Sequence, residues 1–371
     1  MTSRMRVAVL GGGILGVSTA AALAKQGADV TLMTAGELAS GASGRSLAWL
    51  NSFGMRSPEY HYLRLLGLDR YRTLAAGAGS PAFLRFDGGL TWASDGSVAD
   101  HRAAFEHMRD IGYACEWLTA EEVSTRTPGV DPAAISAGGA IFNPQEGWVD
   151  LPRLIEHLAA TVAANGGTIR TGAGHSDIVL TAGRVTAVRS GDGAETPVDA
   201  AVLATGADVP HTLKALGIVI PDATPIALLV RTPPIGTSLR AVLNTPRVAV
   251  RPTPDGALAM DSGWSEREVV VQPDGSYLAR DETIQGLLEE ASNVLEGHPR
   301  LTCASYGVGP KPIPGDGEPV LGGLEAIPGY YVAFTHSGAT LGLIAGELLA
   351  DEILNTRAHP LLDPYRPSRF A

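Results

Sequence analysis

"RVAVLGGGILGVSTAAALAKQGADVTLM", residues 6 to 33, decides the fold. Val7, Val9 and Leu10 make a short apolar run that predicts a strand, the small-residue stretch from Ala20 to Leu23 predicts a helix, and Gly27 is a natural helix stop. "DVTLM" then reads as a second strand. Between the first strand and the helix, Gly11, Gly13 and Gly16 match G-x-G-x-x-G. The first glycine permits the tight turn, the second lets backbone approach a pyrophosphate, and the third allows close helix-strand packing, while the helix N-terminus attracts the anion. The reading is a βαβ unit that binds a dinucleotide.

Residue 34 departs from that pattern. The second strand of such a unit usually ends in Asp or Glu, which accepts the adenosine ribose hydroxyls. Here it ends in Thr34, with Glu37 the nearest carboxylate in sequence. A Thr hydroxyl accepts one hydrogen bond and offers no charge, so cofactor affinity is expected to fall by about 1 to 3 kcal/mol unless another group compensates.

Working outward, Ser57 and Pro58 are the N-cap and first position of a helix reaching about Ala76. From about Phe83 to Pro144 the pattern changes to strand and turn ("RFDGGLTWAS"), an amphipathic helix ("VADHRAAFEHMRDIG") and a capped short helix ("LTAEEVSTRTPGV"), which predicts a second domain. "VDLPRLIEHLAATVAANGGTIRTGAG" then reads as helix and strand, and "DAAVLATGAD" as an apolar strand ending in a small-residue turn at Ala204 to Ala207. From about Val219 to Met260 the chain is rich in β-branched residues, and Pro254-Asp255-Gly256 punctuates a hairpin. The chain closes with "GYYVAFTHSGATLGLIAGELLADEIL", a strand, a turn and a long helix beginning near Gly338 or Ala339, whose positive end suits an anionic ligand edge.

The 371 residues, 45% of them hydrophobic, can bury a large core and suggest two domains. A formal charge of -11 with no basic stripe argues against a nucleic-acid partner. Cys115 and Cys303 fall outside any C-x-x-C pattern, so neither a disulfide framework nor a metal site is expected, and the implied compartment is reduced and cytoplasmic. No apolar run reaches the length of a transmembrane segment, and nothing resembles a signal peptide.

Three separated elements, "GGGILG", the "ASGASGRS" loop after the second strand, and "KPIPGDGEPVLGG" with "GYYVAFTHSGATLG", resemble the D-amino acid oxidase, glycine oxidase and sarcosine oxidase family of FAD-dependent oxidoreductases. "GWVDLPRLIEHLAATVAANGG" and "VRPTPDGALAM" are also similar in style. The resemblance implies an α/β fold, α+β overall, with a Rossmann-like FAD-binding domain and a mixed-sheet substrate domain. The expected boundaries are 1–82, 145–215 and 305–371 for the first and 83–144 and 216–304 for the second.

The resemblance also implies residue roles. Gly11, Gly13 and Gly16 would meet the pyrophosphate, with Thr34 at the ribose. Ser43, Gly44, Arg45 and Ser46 would line the cofactor, His175 and Gly206 its adenine half and the strand beside it, and Gly338, Ala339 and Thr340 the flavin pyrimidine edge. Lys311 stands where many members have Arg and where sarcosine oxidases attach flavin through Cys, so noncovalent FAD is expected.

Reactions of this kind deliver hydride from the carbon beside nitrogen to flavin N5. Arg251 is a candidate for a substrate carboxylate, because a guanidinium matches it bidentately, although a strand-end Arg is also commonly a solvated charge. Lys311 could contact flavin or substrate, and His336 could act near the ring or be structural. Trp49 and Asn51 would wall the pocket or belong to the core. Ala259 falls near the position where sarcosine oxidases carry an oxygen-activating lysine, leaving oxygen and another electron acceptor both open. The expected substrate is a small amine or amino acid. The alternatives are a 2-hydroxy acid, a flavin-binding protein without catalysis, and an NADP-linked reductase suggested by Thr34 beside Arg45.

Overall fold

The computed structural model describes residues 4–77 and 81–370. They divide into two compact units, one of residues 1–44, 151–225 and 310–371, the other of 45–150 and 226–309.

The first unit is built on the βαβ stretch of residues 6 to 33. Strand β1 (Arg6–Leu10) leads through the glycine turn into helix α1 (Ile14–Lys25) and strand β2 (Asp29–Met33). Val7 to Leu10 are at most 1% exposed, as expected for a parallel strand covered on both faces. Gly27, with φ of 89°, turns the chain after α1. The six-stranded sheet runs in the order 320–323, 330–334, 200–203, β1, β2, 168–170. All its pairings are parallel except that of 320–323 with 330–334.

One face of this sheet carries α1, helix Leu151–Ala164 and helix Gly338–Asn355. The last packs on α1 through glycine: a methyl on Gly346 would fall 2.6 Å from the Ser18 carbonyl carbon, and one on Gly342 2.5 Å from the Ile14 side chain. The other face buries Ala8, Leu10, Leu203 and Phe334 against Val185 and Val188 of a three-stranded antiparallel sheet, 177–181, 184–189 and 195–197. The segment after Gly338–Asn355 is pinned by the buried Glu352 carboxylate, which accepts from the backbone N–H of Gly323 and His359 and from the Arg366 guanidinium.

The second unit holds an eight-stranded mixed sheet in the order 305–310, 226–231, 258–261, 249–252, 242–244, 89–92, 140–143, 116–118. Strands 249–252 and 258–261 form the expected antiparallel hairpin, with Gly256 at φ of 79° in its turn. Helix Asp281–Asn293 buries Ile284, Leu287 and Leu288 with Leu228, Val230 and Met260 in a common core. Helix α2 (Pro58–Ala76) begins as expected, the Ser57 hydroxyl accepting from the Tyr60 N–H at 3.3 Å. Thr119 and Glu122 close a capping box on the short helix Ala120–Arg126.

Residues 45–82, 145–150 and 305–309 sit in the second unit, whereas they were expected in the first. For the first two stretches the cause is strand β3 (Trp49–Leu50), which pairs with Gly147–Val149, itself paired with Leu84–Arg85. Residues 216–225 likewise lie in the first unit: the Ala223 N–H donates to Ile313 O and Asp222 bridges Pro314. Among the described residues no helix is long and apolar enough to cross a membrane.

Candidate functional site: a glycine-lined cofactor cradle

In the first unit, the C-terminal ends of the parallel strands bring four turns together. Gly11 has φ of 122°, and a methyl there would fall 2.2 Å from the Ala204 carbonyl oxygen. One on Gly16 would fall 2.0 Å from the Gly11 carbonyl oxygen. The motif glycines therefore pack β1, α1 and the 204–206 turn at backbone distance, a spacing that no residue with a side chain reproduces. The turn's own Gly206 has φ of 67° and lies toward Pro312, placing the Lys311 loop beside it.

Ser43 joins this cluster from 29 residues away. Its hydroxyl accepts from the Ile14 N–H at 3.0 Å, capping α1 where Gly13 has no side chain to do so. The N-terminus of helix Gly338–Asn355 meets the same place, since a methyl on Gly338 would fall 3.2 Å from Ile14 Cγ2. The N-termini of two helices, with the positive ends of their dipoles, thus lie side by side. Thr340 is buried, His336 is exposed in the turn before the helix, and the Thr335 hydroxyl accepts from the Ser337 N–H.

Thr34 is 7% exposed, and its side chain lies against Gly12. Its backbone ties the cradle rim to the next strand and loop, through Thr34 N–H to Arg170 O and Ala173 N–H to Thr34 O, both at 3.0 Å. That loop carries His175, whose exposed imidazole lies 3.3 Å from Asp177. Glu37 is exposed.

FAD suits these residues. The glycines leave a cradle that side chains would fill, the positive N-terminal end of α1 follows directly on it, and the Thr205 hydroxyl is buried with no hydrogen-bond partner among the described residues. Gly11, Gly13, Gly16 and Ser43 would hold the pyrophosphate, Thr34 the ribose, and Gly338 to Thr340 an anionic edge.

The remaining expected residues lie in the second unit. The unit boundary falls between Gly44 and Arg45. The Arg45 side chain lies along Gly307 and Gly309, where methyls would fall 2.7 Å from its Cγ and 2.5 Å from a guanidinium nitrogen, and burial lowers its pKa. Ser46 accepts from the Ala48 N–H at 3.0 Å, holding the loop's exit.

Arg251 is 3% exposed. Its Nε donates to Leu47 O and one terminal nitrogen to Pro252 O, while the other lies 4.0 Å from Asp150. The guanidinium sits over the Trp148 ring at 5.2 Å. Burial pulls its pKa down to about 10, with the Asp150 charge opposing. Trp148 and Pro252 also line a groove of about 570 Å³ in this unit, together with Arg85, Asp87, Ile235 and Arg240.

One group has no counterpart among the residues expected from sequence. Glu146 is fully buried, and burial pushes its pKa up to about 8 against hydrogen bonding by Tyr113 and the charge of Arg64. Nothing in "NPQEGW" marks it, because its burial comes from strands distant in sequence; the Gly-Gly pair at 88–89 is the sole trace, since a methyl on Gly89 would fall 2.3 Å from Glu146 Oε2.

The chain matches the family described as "FAD dependent oxidoreductase" (DAO) over residues 6–352. It is 24% identical to a subunit of the opine oxidase of Agrobacterium tumefaciens (strain Ach5) over 98% of this chain and 96% of that one. It is 30% identical to glycine oxidase of Geobacillus kaustophilus (strain HTA426) over 45% of each. Its fold is shared with the solved L-amino acid deaminase of Proteus myxofaciens, with a TM-score of 0.84, 19% identity and coverage of 100% of this chain and 94% of that one. The glycine cradle and the family match thus agree, and the chain belongs to the DAO family of FAD-dependent oxidoreductases.

Proposed function

We propose that this FAD-dependent enzyme oxidises the C–N bond of a small amine or amino acid, with FAD held noncovalently. The observation that carries the reading is the pair of helix N-termini meeting at Ile14 beside the Lys311 loop, a positive setting for a pyrophosphate and for a reduced flavin. The choice of amine rests on the relatives: the glycine oxidase and the opine oxidase are named for such substrates.

When bound, FAD supplies the hydride acceptor at N5. The chain's own part is to bind, orient and exclude water. Lys311 is the first candidate for a substrate carboxylate, as it precedes the turn against Gly206, and His336 in the "THSGAT" turn is the candidate for holding a proton near the reacting nitrogen. Arg251 is the second carboxylate candidate, with one terminal nitrogen 4.0 Å from Asp150.

Anaerobic mixing of the flavin-loaded protein with a panel of amines, amino acids and 2-hydroxy acids, followed by air, tests the proposal. Bleaching by an amine or amino acid is expected. Bleaching by hydroxy acids alone would replace the substrate class, and no bleaching by any of them would favour a flavoprotein without this chemistry. The rate of colour recovery in air then separates oxygen from another electron acceptor.

A further inference from the structure

Glu146 is the most deeply buried carboxylate among the described residues, and the proposed chemistry gives it no task. Its Oε1 accepts from the Tyr113 hydroxyl at 2.7 Å, and that hydroxyl accepts in turn from the Ser52 N–H at 3.0 Å. The Ser52 hydroxyl meets His61 Nδ1 of α2 at 2.8 Å. Arg64, one turn further along α2, donates from Nε to Asn51 O and from a terminal nitrogen to Asn51 Oδ1, both at 2.9 Å. Asn51 Nδ2 closes back on Trp49 O at 3.1 Å.

The polar anchors of Asn51 and Ser52 thus run to α2, back to Trp49 or, through Tyr113, to Glu146. This segment begins three residues after Ser46, so its position sets where the cofactor loop exits. The acid has little room to move: Gly88 donates to the Glu146 carbonyl at 3.0 Å, and Gly89 lacks the side chain that would strike Oε2.

We propose that Glu146 is a positioning residue for the Trp49–Ser52 segment, acting through Tyr113, and that gain or loss of its proton changes how that segment is held. As a carboxylate it accepts strongly from Tyr113 and draws the Trp49 indole N–H. As a neutral acid it accepts weakly from both and must place its own O–H, which relaxes the Tyr113 bridge to Ser52. The charged and titratable groups facing it are Arg64 from α2, Tyr113 and Cys115, and the Trp49 indole N–H from β3 hydrogen-bonds to it; His61 of α2 lies against the Tyr113 ring, with His107 of helix Val98–Asp110 behind it. Gain or loss of the Glu146 proton changes the net charge of the cluster by one unit. Burial, with the charges of Arg64 and His107, lowers the His61 pKa, away from the direction in which Glu146 is shifted. The inference depends on the proposed cofactor placement only for its flavin readout.

The test is a titration from about pH 6 to 10 of the full chain with FAD, reading Trp49 emission as the difference between wild type and Trp49→Phe, and flavin absorption in parallel. A single transition in the Trp49 signal is expected. It should vanish in Glu146→Gln and move upward by about one unit in Tyr113→Phe, where a hydrogen bond to the carboxylate is lost. A flat wild-type signal, or a Glu146→Gln titration that follows wild type, would overturn the proposal. Tyr113→Phe keeps the question decidable where Glu146→Gln does not fold. A Trp49 transition accompanied by a flat flavin spectrum supports the positioning role and instead removes the cofactor from its reach.

Discussion

Thr34 and Gly12 touch so closely that a methyl on Gly12 would fall 2.9 Å from both Thr34 Cβ and Thr34 Oγ1. The residue at the end of the second strand therefore lies against the glycine turn itself, where a longer acid would extend past the turn toward a ribose. Thr34→Glu is expected to tighten FAD retention by about 1 to 3 kcal/mol, roughly five- to a hundredfold in dissociation constant. Equilibrium dialysis against apoprotein measures it. Unchanged or weaker retention would mean that another group, such as Glu37, already serves the ribose.

Gly16→Ala is expected to abolish FAD binding before it abolishes folding. Its methyl would meet the Gly11 carbonyl oxygen at 2.0 Å, forcing α1 away from the turn proposed to hold the pyrophosphate. A purified variant that keeps wild-type flavin content would show that the turn tolerates the displacement.

Glu352 and Arg366 form a pair at 3.0 Å with side-chain exposures of 5% and 14%. Burial works to raise the Glu352 pKa, but the Arg366 hydrogen bonds and the N–H groups of His359 and Gly323 lower it overall. A lowered folded pKa means the pair stabilises fully above the unfolded value of about 4.3 and is lost as pH falls through the folded one. Glu352→Ala is expected to cost about 3 to 5 kcal/mol at neutral pH, leaving Arg366 buried without its acid, and less near pH 4. Urea unfolding at the two pH values measures the difference; an equal cost at both would contradict it.

Glu146 has the opposite sign. With a folded pKa of about 8 against about 4.3 unfolded, the neutral acid is the favoured buried form, so its contribution is complete below about pH 4 and is lost as pH rises toward 8. Glu146→Gln is expected to flatten that decline, gaining about 2 to 4 kcal/mol on wild type between roughly pH 5 and 9. Parallel unfolding curves for the two proteins at both ends of the range would refute this.

The first unit is readable from sequence because its features are local: three glycines at fixed spacing, a helix stop at Gly27, and the strand-turn-helix of residues 330 to 355. Gly11, Gly13, Gly16, Thr34, Ser43, Gly206 and Gly338 converge on one cradle. The second unit is less legible because its determinants are pairings between distant segments. Strand β3 is two residues long and owes its place to Gly147–Val149, which no periodicity reveals. Arg251 reads as a strand-end charge, yet a stacked Trp148, the Leu47 and Pro252 carbonyls and nearby Asp150 enclose it. The cradle's Ser43 cap is visible as part of a loop, but its bond to the Ile14 N–H is not.

The central sheet of the first unit also dictates when the protein can become a flavoprotein. β1 pairs with Ala200–Leu203, and Arg6 meets Asp199 across 193 residues of chain, while Tyr330–Phe334 completes the next position. The glycine turn is complete by residue 16, yet the strand beside it lies at 200–203 and the second helix N-terminus at Gly338. Contacts of such span close slowly, because loop entropy is lost before they reward it. Cofactor capture is therefore expected to follow the closing of these long loops, and FAD present at that moment would act as the ligand that draws the three segments shut.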